Sequence, residues 1–110
     1  MKILLTGGAG YIGSHVLLSI IENKHEVVVI DDLSTGNKSL IPENIRLINA
    51  NINDSEKISS ILLEENFDLL LHFAGFIKVE ESVQNPDKYF KNNTENAIKL
   101  FDTCYKHNLK

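Results

Sequence analysis

The feature that most constrains this chain is the junction Thr6-Gly7-Gly8-Ala9-Gly10-Tyr11-Ile12-Gly13, where a short apolar run stops in glycines and an amphipathic segment begins. The run from Lys2 to Thr6 reads as a buried strand entering a tight turn. From Tyr11 to Asn23 the residues Ile12, Val16, Leu17, Ile20 and Ile21 recur at helical spacing, and the stretch closes in Glu22, Asn23 and Lys24. A strand, a glycine turn and a helix in direct succession leave few folds open. The glycines fit two overlapping spacings, Gly8, Gly10 and Gly13 as G-x-G-x-x-G, and Gly7, Gly10 and Gly13 as G-x-x-G-x-x-G. In either, the first permits the turn, the middle one lets backbone come close to a phosphate group, and Gly13 lets the helix pack against the strand. Free N–H groups and the helix dipole then favour an anion at the helix start.

The rest of the chain repeats the alternation. Glu26 to Ile30 is a β-branched run suited to a strand covered on both faces, and it ends in Asp31 and Asp32. Leu33 to Asn44, carrying Ser, Thr, Gly, Asn and Pro, predicts a loop, and Ile45 to Asn49 a short strand. Asn53 with Glu56 resembles a capping box ahead of a helix over about Asp54 to Glu65, with Ile58, Ile61 and Leu62 on one face. Phe67 to Phe73 predicts a fourth strand, ending in Ala74 and Gly75. After a loop, Asn85-Pro86 opens a long helix to about His107. The order β-α-β-β-α-β-α predicts an α/β fold: a Rossmann-like doubly wound parallel sheet truncated to about four strands, in the order 3-2-1-4, with three helices. Residues 1–110 are expected to form one domain.

Composition narrows the partners. Eleven basic against 15 acidic residues give a formal charge of -4, which offers no general attraction to nucleic acid or to an anionic membrane. The longest apolar runs fall far short of a membrane span. One cysteine, Cys104, excludes an internal disulfide framework and suits a small buried hydrophobe among Leu100, Phe101 and Tyr105. His15, His25, His72 and His107 show no metal-ligand spacing and read as structural or surface residues, so no metal is expected. The Met1 end lacks the pattern of a secretory signal, and a cytoplasmic protein is the expectation. Glu80-Glu81 reads as a solvated turn.

Asp31 falls at the end of the second strand, 18 residues after Gly13, the spacing at which an acid grips the ribose hydroxyls of a dinucleotide. Asp31 and Asp32 together place two negative charges where a 2′-phosphate would lie, and no Arg stands nearby, so NAD is favoured over NADP.

Thr6 to His15, followed by Asp31-Asp32-Leu33-Ser34, resembles the start of an extended short-chain dehydrogenase/reductase. The second block, His72-Phe73-Ala74-Gly75, then Glu81-Ser82-Val83, Pro86, Tyr89 and Asn92-Asn93, resembles the UDP-glucose 4-epimerases within that family. The resemblance covers essentially the whole chain. It implies that Gly7, Gly10, Tyr11, Ile12 and Gly13 hold the pyrophosphate of NAD, with Tyr11 and Ile12 offering backbone N–H groups. Asp31 would bind the adenosine ribose, and Phe73, Ala74, Gly75 and Asn93 would line the cofactor cleft. Asn51, followed by Ile52, stands where the family usually has an Asp that accepts from the adenine amino group, and its carbonyl can do the same. Lys78 is offset from the position of a family lysine that reaches the cofactor.

The implied reaction passes hydride from sugar C4 to NAD and back to the opposite face through a 4-keto sugar, interconverting UDP-glucose and UDP-galactose, as in galactose metabolism. Its base is a tyrosine in a Y-x-x-x-K motif. Tyr11, Tyr89 and Tyr105 are followed four residues on by His15, Asn93 and Leu109, so the resemblance implies a cofactor-binding portion without catalytic residues. The UDP-sugar pocket is expected to lie largely beyond Lys110. The last helix carries one stripe with Phe90, Ala97, Ile98, Phe101 and Tyr105 and another with Tyr89, Leu100 and Cys104; one can cover the sheet and the other meet a homodimer partner. The strand at Phe67 to Phe73 is expected to leave an edge open to self-association. Another nucleotide-sugar epimerase or dehydratase, or a non-catalytic nucleotide-binding module, stays open on these residues.

Overall fold

A computed structural model describes residues 1–75 and 79–110, apart from the side chains of Val79 and Glu80. Four strands, β1 (Lys2–Thr6), β2 (Glu26–Asp31), β3 (Arg46–Asn49) and β4 (Leu69–His72), form one parallel sheet in the order β3-β2-β1-β4. Leu5 faces Val29 on one side and Leu71 on the other, and Thr6 faces Ile30 and His72, so β1, β2 and β4 end nearly level at one rim. The expected topology is the one observed.

Alternation along the strands divides the core in two. Ile3, Leu5, Val27 and Val29 point to one face, where Leu17 and Ile20 of α1 (Tyr11–Glu22) cover them. Leu4, Val28, Ile30 and Ile48 point to the other, against Ile58, Ile61 and Leu62 of α2 (Ser55–Glu64) and Leu100 and Cys104 of α5 (Asn96–Lys106). Helices on both faces explain why β1 and β2 read as unbroken apolar runs rather than alternating ones. At the amino ends of the strands, Glu65 receives Lys2 at 2.7 Å and Arg46 as well, and these partners, Lys2 foremost, hold its carboxyl below its ordinary range.

Several elements differ from the sequence reading: β4 spans Leu69–His72 and not Phe67 to Phe73, and the loop Leu33 to Asn44 contains a 3-10 turn at Lys38–Leu40. The cap of α2 is Asp54, whose carboxylate accepts from Lys57 N–H at 3.1 Å, while Asn53 sits one residue before it. Glu80 and Glu81 belong to a short helix, α3 (Val79–Gln84), and not to a turn; Glu81 forms an ion pair with Lys88. The long helix opens at Asn85-Pro86 as expected but is not regular: α4 (Pro86–Phe90) passes through a π-helical segment, Lys91–Glu95, into α5. Its apolar stripes therefore divide otherwise than a straight helix would. Ala97 joins Leu100 and Cys104 in the core, whereas Phe90, Ile98, Phe101 and Tyr105 are exposed.

β4 lies at the edge of the sheet, with all four residues half-buried. Its Leu70 N–H donates to the Lys110 carbonyl at 2.6 Å. Among the described residues, no helix is long and apolar enough to cross a membrane.

Cys104 is 3% exposed, and burial pushes its thiol up to about 11. Native protein at mild alkaline pH should thus react with a thiol reagent about a hundredfold more slowly than protein in denaturant. Equal rates in the two conditions would show that α5 is not docked on the sheet.

Candidate cofactor cleft

The strand ends at the carboxyl rim border an open cleft lined by Gly7, Gly10, Asp31, Asp32, Asn51 and Phe73 among others. Its position follows from the topology, because β1 is the point at which the strand order reverses and the loops on either side part.

Gly7 sets the geometry. Its φ of +73° is one that side chains rarely adopt, and a Cβ there would lie 2.5 Å from Ala74 N. Its N–H donates to Ile30 O at 2.9 Å, tying the turn to the end of β2. Gly13 completes the arrangement, since a Cβ on it would stand 2.0 Å from Gly7 O. The helix therefore begins in contact with the turn. Gly10 caps α1 with no side-chain bond, and Ser14 N–H donates to Gly10 O at 2.9 Å. The N–H groups of Tyr11, Ile12 and Gly13 precede that bond and occupy the turn in which helical N–H groups have no intrahelical acceptor.

Asp31 is only 8% exposed, and both carboxylate oxygens are engaged. Oδ2 accepts from Ala9 N–H at 2.9 Å and Oδ1 from Leu33 N–H at 2.8 Å. The second bond supports Leu33 in a left-handed conformation, with φ of 61°, that costs a non-glycine residue about 1 kcal/mol or more. Each oxygen keeps a further lone pair for a hydroxyl donor. Asp32 accepts from Ser34 N–H at 3.0 Å through Oδ1 and from Asn51 Nδ2 at 3.2 Å through Oδ2.

The far wall rests on a half-buried contact beneath it. Thr6 Oγ1 and His72 Nδ1 lie 2.6 Å apart, joining the ends of β1 and β4, and Phe101 packs edge-on against the imidazole at 5.3 Å between centroids. Ala74 N–H reaches the same Thr6 oxygen at 3.5 Å. Burial lowers the His72 pKa below its ordinary 6.5.

Of the residues expected at the site, Gly7, Gly10, Asp31, Asn51, Ile52, Phe73, Ala74 and Gly75 line the cleft. Tyr11, Ile12 and Gly13 are not among its lining residues; they begin α1 directly after the lining residue Gly10. Asn93 lies against Gly75, where a Cβ would be 3.2 Å from Asn93 Oδ1, and it is Asn92 that lines the cleft, donating from Nδ2 to Asn93 Oδ1 at 2.9 Å. Lys78 lies outside the described residues. The loop Ser34 to Gly36 also contributes to the lining, although its sequence shows only generic loop composition. Its placement depends on a long-range bond, Asn37 N–H to Ala9 O at 2.9 Å. Among the described residues, no group of His, Cys, Asp and Glu is placed to hold a metal.

Residues 3–110 match the model of the NAD dependent epimerase/dehydratase family. The chain belongs to that family. It is 42% identical over 103 residues to a UDP-glucose 4-epimerase of Azospirillum brasilense, covering 94% of this chain and 30% of that protein. UDP-arabinose 4-epimerase 1 of Arabidopsis thaliana is 39% identical over 117 residues, covering 98% of this chain and 28% of its own length. The UDP-glucose 4-epimerase of Thermotoga maritima, solved with UDP-glucose, superposes with a TM-score of 0.94 at 34% identity, over 100% of this chain and 36% of that one. The Thermus thermophilus UDP-glucose 4-epimerase, solved with NAD, gives 0.94 at 29% identity over 100% and 35%. The chain thus spans about a third of the length of these relatives.

Because the fold holds His72 neutral, lowering the pH lets the unfolded chain take up a proton first. Stability should be fully present well above the ordinary histidine value of 6.5 and be lost as the pH falls through it toward the lower value that burial imposes on the folded chain. Denaturant titrations across that window should show a smaller decline in His72→Gln; an identical decline would remove His72 from the account.

Proposed function

We propose that this chain is the cofactor-holding portion of a UDP-sugar 4-epimerase, and that the cofactor is NAD. The observation that carries the reading is the buried Asp31 carboxylate, fixed between the glycine turn and the end of β2 with lone pairs to spare. The fit can be judged from the cleft itself. Gly7 keeps the floor free of a side chain, α1 offers the N–H groups of its first turn to a pyrophosphate, and Asp31 accepts from ribose hydroxyls. Asp32 beside it adds a second negative charge, which disfavours a 2′-phosphate. Phe73, Ala74 and Gly75 form the wall facing the nicotinamide half, with Asn93 behind Gly75.

When bound, NAD would supply a hydride acceptor for a sugar carbinol and, once reduced, a hydride donor for the resulting ketone. The task of these 110 residues is to bind and orient it. No Y-x-x-x-K sequence occurs among them, so the chain by itself is expected to be inactive. UDP-glucose and UDP-galactose are the proposed substrates of the whole enzyme, placing it in galactose metabolism in the cytoplasm. The UDP-arabinose 4-epimerase relatives support a pentose nucleotide as the second reading. The exposed apolar side chains Phe90, Ile98, Phe101 and Tyr105 support a homodimer contact along α4 and α5.

Calorimetric titration of the chain with NAD and with NADP tests the proposal. Saturable NAD binding is expected, with NADP weaker and with NAD affinity reduced about tenfold or more in Asp31→Ala. Equal affinity for the two dinucleotides, or NAD binding untouched by Asp31→Ala, would refute the assignment of Asp31. Conversion of UDP-galactose by the chain alone would refute its inactivity.

A further inference from the structure

Resting on the NAD reading, we propose that Asn51 makes the base end of the cleft tolerant of the substituent at C6 of the purine, accepting a 6-oxo as readily as a 6-amino group. The location of that end follows from the order of parts. The pyrophosphate belongs at the start of α1 and the ribose at Asp31, so the base extends past β2 toward β3. There the cleft is lined by Asp32, Ser34, Ala50, Asn51 and Ile52.

The side chain of Asn51 is held at both ends. Its Oδ1 accepts from Asn53 N–H at 3.0 Å, and its Nδ2 donates to Asp32 Oδ2 at 3.2 Å. Turning the amide over would set its oxygen against the Asp32 carboxylate and its NH₂ against the Asn53 N–H. The orientation is therefore determined by its partners. An amide has two acceptor sites on oxygen and two N–H groups, so after these bonds one of each remains. A 6-amino group donates and is met by the free lone pair; a 6-oxo group accepts and is met by the free N–H. A carboxylate in the same place would have acceptors only. It would repel the 6-oxo group and, at 3.2 Å from Asp32, would set two like charges together.

The test compares NAD with nicotinamide hypoxanthine dinucleotide, whose base carries a 6-oxo group and a proton on N1 in place of the 6-amino group and the bare N1, by calorimetric titration of the chain; the change in their ratio between the unsubstituted chain and the Asn51 variants isolates the part that Asn51 plays. The two should bind with affinities within about fivefold of each other, whereas a site built for one C6 group discriminates far more strongly. In Asn51→Asp the hypoxanthine dinucleotide should lose about tenfold or more relative to NAD. The double variant Asp32→Asn with Asn51→Asp restores one charge and one donor to the pair, and should keep that preference while unfolding like the unsubstituted chain. Rejection of the hypoxanthine dinucleotide by more than about tenfold in the unsubstituted chain overturns the inference, leaving the NAD reading intact. An unchanged ratio in both variants also overturns it. Failure of both dinucleotides to bind refutes the NAD reading and this inference with it.

Discussion

The architecture depends on one crowded point, the peptide of Gly7. Its N–H is bound to the end of β2, its Cα faces the backbone of Phe73 and Ala74 after β4, and its carbonyl lies against Gly13 of α1. Three strands and a helix thus converge within van der Waals contact of a residue that has no side chain. Backbone packed this closely leaves its amides directed outward at the rim. A cleft there follows from the closeness of the chain below it, because the loops leaving β1 and β2 must separate once the strands end.

Charge is distributed along the sheet axis to match. The amino ends of the strands carry ion pairs among Lys2, Arg46, Glu64 and Glu65. The carboxyl ends carry the positive pole of α1 on one side and Asp31 and Asp32 on the other. Asp31 has two functions in this arrangement. By accepting from Ala9 and Leu33 it stiffens both loops that it joins, so the acid that would meet a ligand also shapes the place where the ligand meets it.

Much of this is legible in the sequence, for physical reasons that differ between elements. β1, β2 and α1 are readable because burial on both sheet faces demands continuous apolar runs, and because Gly7 and Gly13 answer steric demands that no other residue meets. Asp31 is readable because its spacing from Gly13 is set by the length of α1 and β2. The cap at Asp54 lies one residue from the expected Asn53 because Asn53, Asp54 and Ser55 are all competent caps, and tertiary placement chooses among them. The roles of Ser34 to Gly36 depend on the bond from Asn37 to Ala9, which joins segments far apart in sequence. Asn51 reads in the sequence as a free acceptor, yet its oxygen is shared with Asn53 and its amide with Asp32, a partner it meets only once β2 and β3 lie side by side.

The π-helical turn at Lys91–Glu95 explains why the stripes of the last helix do not follow a regular period. An inserted residue advances the helix face by about 100°. Phe90 and Ala97, seven apart and co-facial in a regular helix, are instead 58% and 7% exposed. The turn works as a phase shifter, allowing one rod to show Asn92 to the cleft and Leu100 and Cys104 to the core. Such a device is indifferent to many side-chain exchanges but not to chain length. Removing or adding one residue in this turn would rotate the two halves out of step, so the number of residues here constrains the fold more tightly than their identity does.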